Sequence, residues 1–388
     1  ARLRTTTDLV IIEGAGSPAE LNLRRGDIVN MAVASHARSP VLLAGDIDKG
    51  GIFAQLLGTI WLLAPEEQAL VRGLIVNKFR GDPNLFTDGV RILEERSGLP
   101  VLGVIPWLAD HGIAEEDGAG LDDPASVRAR SLESQAPDAD PGRPVDIAVI
   151  KLPRIANFDD FDPLAMELGV RLRFVHAVDD LGRPDAVILP GTKHTLADLA
   201  WLRRVGLADA VLALAAQGVA LVGICGGYQM LGEVISDPDG VEGGGEAVGL
   251  KQLPVRVIFR GQKVTRQARA RLCGWLPWLI RAEELTGYEI HAGQADTPRP
   301  LLEILRADGG TALDGASTPD GRVWGSHLHG LFHNDGFRQA WLSSLGWRPA
   351  GAVSSVPYLA RKAAAYDRLA DVLAAVMDVA RLDAIIGL

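Results

Sequence analysis

Continuous apolar runs that alternate with helix-like stretches constrain the fold of this chain more than any other feature. In the N-terminal part the runs lie at residues 8–12, 40–44, 71–76 and 100–105. The helix-like stretches between them lie at residues 28–37, 51–63 and 85–96. Because the runs are apolar without alternation, they indicate strands that are buried on both faces. The order predicts an α/β fold in which helices cover a parallel sheet.

A second series of the same kind begins near residue 145. Its predicted strands lie in VDIAVIKLP, VRLRFVHA, PDAVILPG and VALVGICGG, with later strands at 252–260 and 287–291. Its predicted helices lie at 196–205, 207–217 and 358–379, and RVWGSHLHGLFHNDGFRQAWL reads as a strand, a turn and a helix. The stretch between the two series is acidic and rich in Pro, Gly and Ser, as expected of a linker. We therefore predict two parallel-sheet domains, at residues 1–110 and 145–388, joined by a linker at 111–144.

Composition argues against several classes of partner. The 388 residues carry a formal net charge of -10, and no basic face is evident that could neutralise nucleic-acid phosphates. No apolar stretch reaches membrane-spanning length without a charge or a break. Cys225 and Cys273 are too few for a disulfide framework, which favours a reducing cytoplasm. We expect neither nucleic acid nor a membrane as a partner.

Cys225 lies in ALVGICGGYQM, between a predicted buried strand and a predicted helix. The glycines of this Gly-x-Cys-x-Gly frame allow the sharp turn in which backbone crowds the side chain on both sides. The turn would direct the sulfur toward the positive end of the next helix, which favours the reactive thiolate. The N–H group of Gly226 would then face a developing oxyanion. A nucleophilic cysteine is the prediction, although most single cysteines after a strand are structural.

A nucleophile of this kind needs a second oxyanion donor and a base. Gly191, in ILPGTKH, follows a predicted strand and supplies the donor. HLHGLFHND holds His327, His329 and His333, of which His329 is the chosen partner of Cys225. The alternatives are polar histidines that are satisfied in the core, or three metal ligands, although no Cys or carboxylate cluster at ligand spacing accompanies them. Cys273 has no comparable frame and is predicted to be structural.

Polar residues follow several of the predicted strands in the N-terminal domain. Glu13 precedes Gly-Ala-Gly, GDIDKGG holds Asp46 and Asp48 before Lys49, and IVNKFRGD holds Asn77 and Lys78. Carboxylates at strand ends suit Mg²⁺ and phosphate, lysine offsets phosphate charge, and asparagine can bind a purine edge. Each feature alone is often only a turn, but together they predict a nucleotide site at one edge of the sheet.

The phosphate loop G-x-x-x-x-G-K-[ST] is absent from the sequence. The chain also opens with Ala1, and a strand-like run follows almost at once. We therefore expect a fragment that lacks earlier strands and binds ATP poorly or not at all. A short natural version of the protein stays open as the alternative.

The order of strand-PG-helix, GxCxGxQ and a late histidine resembles class I glutamine amidotransferases, which have a flavodoxin-like fold. The resemblance implies that Cys225 attacks the amide of glutamine, that Gly191 and Gly226 hold the oxyanion, that Gln229 seats the substrate and that His329 moves the proton. The family pattern His-x-Glu is not kept, since Leu331 stands where glutamate is usual. This is similar to the cobalamin-pathway subgroup, in which Cys and His act as a dyad. Glu289, in GYEIHAG, could orient His329, but an ordinary strand residue is the simpler interpretation.

Over essentially its whole length the chain resembles the cobyric acid synthase family. The resemblance rests on the segments EGAGSPAELNL, GDIDKGGIFAQ, NKFRGD, KLPRIANFDDFDPL, LPGTKHT, GICGGYQML, GYEIHAG and HLHGLF. It implies a dethiobiotin-synthetase-like P-loop NTPase fold, truncated here, ahead of the amidotransferase domain. It also implies a carbon–nitrogen ligase that uses ATP, Mg²⁺ and glutamine to amidate carboxylates b, d, e and g of adenosylcobyrinic acid a,c-diamide, a corrinoid. No prosthetic group and no tightly bound metal are expected, and a homo-oligomer is compatible with it.

Other functions remain open from the sequence. One is a non-catalytic or glutaminase-only fragment that binds a corrinoid or a nucleotide. Another is the related cobyrinic acid a,c-diamide synthase, although LPRIANFDDFDPL and EGAGSPAELNL argue against it. The third is an amidotransferase that acts on a cell-wall lipid precursor.

Overall fold

The computed structural model describes residues 3–108, 111–113, 143–279, 284–306, 309–349 and 356–387. Its contacts divide the chain into two compact units, one of Ala1–Ile113 with Ala363–Leu388 and the other of Ala114–Lys362. Nearly all of the predicted linker at 111–144 lies outside the described residues.

The first unit is built on a parallel sheet. Its elements in chain order are α1 (Met31–Ala37), β1 (Val41–Asp46), α2 (Ile52–Leu62), α3 (Pro65–Gln68), β2 (Val71–Phe79), α4 (Thr87–Ser97) and β3 (Val101–Pro106). Among the described residues the strand order is β1-β2-β3, and both pairings are parallel. Ile52 and Leu56 of α2 and Leu93 of α4 are buried with Leu74 and Val76 of β2. The predicted parallel sheet with helical cover is therefore confirmed in this unit.

The predicted strand at residues 8–12 is wrong. The segment has no regular secondary structure, and Leu9 and Ile11 are 47% and 86% exposed. A strand is stable only when a neighbour pairs with its N–H and C=O groups, and none of the strands of the described sheet pairs with this run. Apolar composition alone therefore gave a misleading prediction here.

The second unit contains many more strands. Its elements up to the helix that follows Cys225 are β4 (Val145–Ile150), α5 (Asp162–Ala165), β5 (Val170–Val175), α6 (Val178–Leu181), β6 (Ala186–Leu189), α7 (Thr195–Arg204), α8 (Leu207–Ala216), β7 (Ala220–Ile224) and α9 (Gly226–Leu231). They continue as β8 (Val234–Asp237), β9 (Gly245–Val248), β10 (Arg256–Leu272), β11 (Leu285–Asp296), β12 (Leu302–Arg306), β13 (Thr311–Asp314), β14 (Ala316–Ser317), β15 (Val323–Ser326) and α10 (Asp335–Ser344).

The main sheet of this unit has the order β14-β15-β7-β6-β4-β5 within the described residues. All of its pairings are parallel except that of β14 with β15. Every residue of β6 and β7 is buried, as the continuous apolar runs predict. Leu207, Val211 and Leu214 of α8 are buried at helical spacing, which packs one face of the helix on the sheet. The carboxyl ends of β6, β7 and β15 therefore meet at one edge.

A second sheet, which the sequence did not separate from the first, has the order β13-β12-β10-β8-β9, with β11 also paired to β10. Its pairings are antiparallel except that of β8 with β10. The predicted strands at 252–260 and 287–291 are parts of the longer β10 and β11. Val257 and Phe259 of β10 share a buried cluster with Tyr228 and Met230 of α9. This sheet therefore packs against the helix that follows Cys225.

The C-terminal helical region is formed by α11 (Tyr358–Val376) and α12 (Val379–Ile386). Between them Met377 bridges to Gly103, and the N–H of Asp378 donates to the carbonyl of Leu102 at 2.7 Å. These bonds explain why Ala363–Leu388 groups with the first unit, whereas the sequence-based boundary kept all of 145–388 in one domain. Within the described residues, no helix is both long and apolar enough to cross a membrane.

Candidate active site

Cys225 lies between β7 and α9 in a strained turn, called the elbow below. Its backbone has φ 50° and ψ -110°, a combination that non-glycine residues rarely adopt. A Cβ added to Gly223 would lie 2.6 Å from backbone atoms of Tyr228, and one on Gly227 would lie 1.9 Å from the carbonyl oxygen of Leu189. The glycines are therefore required because strand and helix approach each other closely. The same turn places Cys225, which is 7% exposed, at the N-terminus of α9.

Gly191 follows β6 and lies beside both proposed catalytic side chains. A Cβ at this position would lie 3.1 Å from Cε1 of His329 and 3.8 Å from Cβ of Cys225. The carbonyl of Gly191 accepts a hydrogen bond from the N–H of Ala156 at 2.9 Å, which fixes its peptide. Gly226 is the first residue of α9, where N–H groups have no partner within the helix. The structure thus brings Cys225, His329, Gly191 and Gly226 together at one sheet edge.

His329 is held by a carboxylate that the sequence did not predict. Its Nδ1 lies 2.6 Å from Oδ2 of Asp160, and the N–H of Gly330 donates to Oδ1 of the same carboxylate at 2.9 Å. Asp160 lies in the short 3-10 helix Phe158–Phe161 and is 2% exposed. On the other side of the ring, Nε2 is buried and makes no hydrogen bond among the described residues. Nδ1 therefore carries the proton donated to Asp160, and Nε2 is available for chemistry.

The electrostatics of His329 favour a charged imidazole. Burial lowers its pKa, but the negative charges of Asp160 and Cys225 outweigh burial and raise the pKa to about 10. The ring of Tyr288 stacks on it, with centroids 5.0 Å apart and an angle of 12°. Burial raises the pKa of the Tyr288 hydroxyl, which accepts a hydrogen bond from Nδ2 of Asn157 at 3.0 Å. The arrangement can hold an imidazolium beside a thiolate, which is an activated nucleophile.

Glu289 does not orient His329, and this suggestion from the sequence is wrong. Its carboxylate lies 3.2 Å from Nε of Arg306, 3.3 Å from Nε of Arg266 and 3.4 Å from Nε2 of His291. Two guanidinium groups and one imidazole therefore hold this carboxylate. A Cys–His dyad without a carboxylate is also not what the structure contains, since Asp160 completes a Cys–His–Asp arrangement.

Asp160 was missed because it lies 169 residues from His329 in sequence. From the sequence, the segment LPRIANFDDFDPL was informative only as a family feature. The available clue was three acidic residues next to two phenylalanines, because carboxylates flanked by core residues need a buried partner.

Gln229 and the other two histidines lie near the elbow in different surroundings. Gln229 accepts a hydrogen bond from Oγ1 of Thr195 at 2.9 Å, and its Nε2 lies 3.0 Å from Nε2 of His327. His327 therefore faces Gln229, whereas His329 faces Asp160. His333 packs its ring against Tyr358, with centroids 4.9 Å apart, and burial lowers its pKa.

The predicted nucleotide residues of the first unit partly come together. Asp46 and Asn77 are paired neighbours at the ends of β1 and β2. Nζ of Lys78 lies 3.0 Å from Oδ2 of Asp46, and Arg80 forms an ion pair with Asp48. Lys78 has φ 62°, which turns the chain sharply at the strand end. These contacts place four of the predicted residues at one edge of the sheet.

Glu13 is not joined to that group by any hydrogen bond or ion pair between described residues. It is exposed and lies in the irregular N-terminal segment, where the following turn is held by Asn30. Lys49 is exposed as well. Cys273 in the second unit is exposed, with Sγ 3.6 Å from the carbonyl oxygen of Pro300.

Comparison with known families agrees with this geometry. A model of the CobB/CobQ-like glutamine amidotransferase domain matches residues 146–337, and a model of an AAA domain matches residues 1–113. The chain is therefore an α/β protein in which an AAA-type region precedes a glutamine amidotransferase domain.

The relatives define the family more closely. The cobyric acid synthase of Chloroflexus aurantiacus is 54% identical over 98% of this chain and 74% of its own length. That of Roseiflexus castenholzii is 56% identical over 89% of this chain and 68% of its own length. The chain belongs to the cobyric acid synthase family. The structure of PurLQS from Thermotoga maritima covers 53% of this chain and 100% of its own, with 17% identity and a TM-score of 0.42.

Proposed function

We propose that this chain is a glutamine-dependent ligase that amidates corrinoid carboxylates. The proposed acceptors are carboxylates b, d, e and g of adenosylcobyrinic acid a,c-diamide, activated by ATP. The observation that carries the glutaminase part is the buried Cys225 elbow beside the His329–Asp160 pair. Family membership, with 54% identity to a cobyric acid synthase over nearly the whole chain, supports the choice of acceptor.

The glutaminase step begins with attack of the Cys225 thiolate on the amide carbonyl carbon of glutamine. A C–S bond forms, and the N–H groups of Gly226 and Gly191 stabilise the negative oxygen. His329 then gives the proton on Nε2 to the amide nitrogen, the C–N bond breaks and ammonia leaves. Water attacks the thioester while His329 takes its proton, and glutamate and the thiolate are released.

Asp160 supports this cycle by fixing the ring of His329. Its carboxylate accepts the Nδ1 proton, so Nε2 is the nitrogen that gains and loses the catalytic proton. Its negative charge also stabilises the imidazolium that gives up its proton in the first half of the cycle and forms again in the second. This is the role that a glutamate two residues after the histidine has in the usual family pattern, where this chain has Leu331.

The synthetase step is assigned to the strand ends of the first unit. A substrate carboxylate attacks the γ-phosphorus of ATP, ADP leaves, and ammonia then displaces phosphate from the acyl phosphate. Lys78 and Arg80 supply positive charge of the kind that stabilises phosphate groups. Mg²⁺ commonly uses one or two carboxylates together with substrate phosphates, so Asp46 and Asp48 are a fitting donor pair. Bound there, the ion would neutralise phosphate charge.

The direct test replaces the nucleophile. Cys225→Ser should release no ammonia from glutamine and should lose labelling by a glutamine-analogue electrophile, because the hydroxyl is far less nucleophilic than the thiolate. Cys273→Ser is the matched control, since this exposed thiol has none of the elbow geometry, and it should keep both activities. Full glutaminase activity in Cys225→Ser would rule out the proposed mechanism.

The acceptor is tested separately. Incubation with MgATP, glutamine and a corrinoid diamide should give the mass change of carboxylate-to-amide conversion, and omission of ATP should prevent it. Conversion of a cell-wall lipid precursor instead of the corrinoid would favour the alternative amidotransferase. Glutaminase activity without amidation of either acceptor would leave only the fragment interpretation.

A further inference from the structure

A second histidine–carboxylate pair is buried beside the catalytic one. Nδ1 of His327 lies 2.8 Å from Oδ1 of Asp314, and the N–H of His327 donates to Oδ2 at 2.8 Å. The hydroxyl of Ser326 also donates to Asp314. His327 is 3% exposed and Asp314 is 7% exposed. The glutaminase cycle described above uses neither residue.

The pair continues into the helix that follows the nucleophile. Nε2 of His327 lies 3.0 Å from Nε2 of Gln229, whose Oε1 accepts a hydrogen bond from Oγ1 of Thr195 at 2.9 Å. The N–H of Gln229 donates to the carbonyl of Cys225 at 3.0 Å, so Gln229 lies on the first turn after the nucleophile. The chain of contacts therefore runs from Asp314 through His327 and Gln229 to Thr195.

The direction of each hydrogen bond in this chain is fixed. The Asp314 carboxylate only accepts, so Nδ1 of His327 carries the proton that it donates to Asp314. In a neutral ring Nε2 is then unprotonated and accepts from the amide nitrogen of Gln229, and the amide oxygen accepts from the Thr195 hydroxyl. In a doubly protonated His327, the Nε2–H donor would face the N–H donors of the Gln229 amide.

The surroundings of His327 favour that neutral state. His291 of β11 stacks on its ring with centroids 4.3 Å apart, and Tyr228 of α9 contacts it edge-on. Burial lowers the pKa of His327. The neighbouring His291 and His329 lower it further, and the opposing effect of Asp314 does not overcome these contributions. The geometry and the charges thus agree on one tautomer.

The two middle residues of this network lie in the segments that carry the two proposed catalytic groups. His327 is two residues before His329 in the same segment after β15, and Gln229 is four residues after Cys225 on α9. A hydrogen bond between His327 and Gln229 therefore ties the segment that holds the base to the helix that holds the nucleophile. The Thr195 bond anchors the same amide to α7.

We propose that Asp314, His327 and Gln229 are positioning residues that fix the alignment of His329 with Cys225. The inference rests on the proposed glutaminase function and gives Gln229 a positioning role in addition to the contact with glutamine that the family resemblance implies. An acceptor at Nε2 of His327 is the required feature, because only an acceptor can hold the amide nitrogen of Gln229. Loss of that acceptor should loosen the alignment without removing any group that touches glutamine.

The test compares two replacements of His327 in the full chain. Asn keeps a polar group near Nδ1 and loses the contact to Gln229, whereas Gln places an amide oxygen near the former Nε2. His327→Asn should lower kcat for glutamine hydrolysis by about 10- to 100-fold with little change in KM, because small misplacements of reacting groups have effects of that size. His327→Gln should recover a large part of the loss. His333→Asn, at a partly buried histidine outside the network, is the control and should keep the wild-type kcat.

Two results would overturn the proposal. One is a wild-type kcat in His327→Asn, and the other is an equal loss in the Asn and Gln variants with unchanged melting temperatures. If His327→Asn does not fold, Thr195→Val and Thr195→Ser test the other end of the Gln229 amide. Valine should lower kcat because it cannot donate a hydrogen bond to the amide of Gln229, whereas serine can donate and should keep kcat. A wild-type kcat in Thr195→Val would equally refute the positioning role.

Alkylation of Cys225 by iodoacetamide separates this inference from the proposed function. It measures the thiolate beside His329 and needs no turnover. In His327→Asn alkylation at neutral pH should be slower than in the wild-type protein, because a misaligned His329 activates the thiol less. A wild-type protein that alkylates at Cys225 but hydrolyses no glutamine would refute the proposed function alone. An unchanged alkylation rate in the variant would refute the positioning role alone.

Discussion

Replacement of Asp160 by asparagine is the sharpest test of the catalytic arrangement. The substitution keeps the size of a side chain that is 2% exposed and removes its charge beside Nδ1 of His329. Two opposite charges about 4 Å apart interact by about 4 kcal/mol at an effective dielectric constant near 20. A loss of that size in stabilisation of the imidazolium corresponds to a decrease of about 10³-fold in kcat.

The same substitution should change the titration of the site. Without Asp160, the pKa of His329 should fall from about 10, because the negative charge that opposes the effect of burial most strongly is lost. The imidazolium would then lose its proton at a lower pH than in the wild-type protein. Steady-state glutaminase kinetics measure the loss of kcat, and the pH dependence of kcat measures the shift in the pKa of His329.

Asp159→Asn is the matched control for this prediction. Asp159 is the adjacent carboxylate in the same 3-10 helix, and its pKa is raised by burial and by the charge of Asp160. Because the hydrogen bond to His329 comes from Asp160, the kcat of Asp159→Asn should stay within about threefold of wild type. A kcat within that range for Asp160→Asn, in a protein that melts like wild type, would refute the assignment of Asp160 as the third member.

Three further predictions concern stability. Gly227→Ala should destabilise the protein by about 3 kcal/mol in urea unfolding, since its Cβ would lie 1.9 Å from the carbonyl oxygen of Leu189; a smaller loss than Gly223→Ala would contradict this. Arg338→Met should cost about 3–5 kcal/mol because buried Glu167 loses its closest partner, and adding Glu167→Gln should recover part of it. Burial raises the pKa of Glu289, but its histidine and arginine partners outweigh this and lower it to about 2. Its contribution to stability should therefore be complete above its ordinary 4.5 and lost as pH falls toward about 2, and Glu289→Gln should flatten the melting temperature over that window.

The parallel sheets could be predicted because their strands are locally encoded. Residues 71–76 are apolar except for Arg72, and the run before Cys225 is apolar on both faces. Such runs are typical of a central strand covered by helices on both sides. The run at 8–12 has the same composition and forms no strand, because pairing depends on a neighbour that composition does not specify. The second sheet was missed for a related reason, since β10 alternates exposed arginines with buried residues and reads as several short elements.

The candidate site shows the same contrast between features that are encoded locally and features that depend on distant residues. The turn at Cys225 and its glycines could be identified from seven consecutive residues, because a sharp strand-to-helix turn is a local structure. The partner of His329 could not, because sequence spacing says nothing about which distant carboxylate will be close in space. Glu289 was the nearer candidate in sequence, yet two arginines hold it.

The position of Leu331 explains why the carboxylate comes from elsewhere. Leu331 is 2% exposed and belongs to the same buried cluster as Phe161 and Phe332, so a glutamate side chain there would lie among apolar groups. Asp160 instead reaches Nδ1 from the segment Phe158–Phe161, whose Phe161 packs in that cluster while the Asp160 carboxylate points to His329 and the N–H of Gly330. The charge that orients the base is thus delivered by a separate loop that the core itself holds in place. A glutamate introduced at Leu331 should therefore destabilise the fold and should not restore kcat in Asp160→Asn, and recovery of activity in that double variant would show that the two positions are interchangeable.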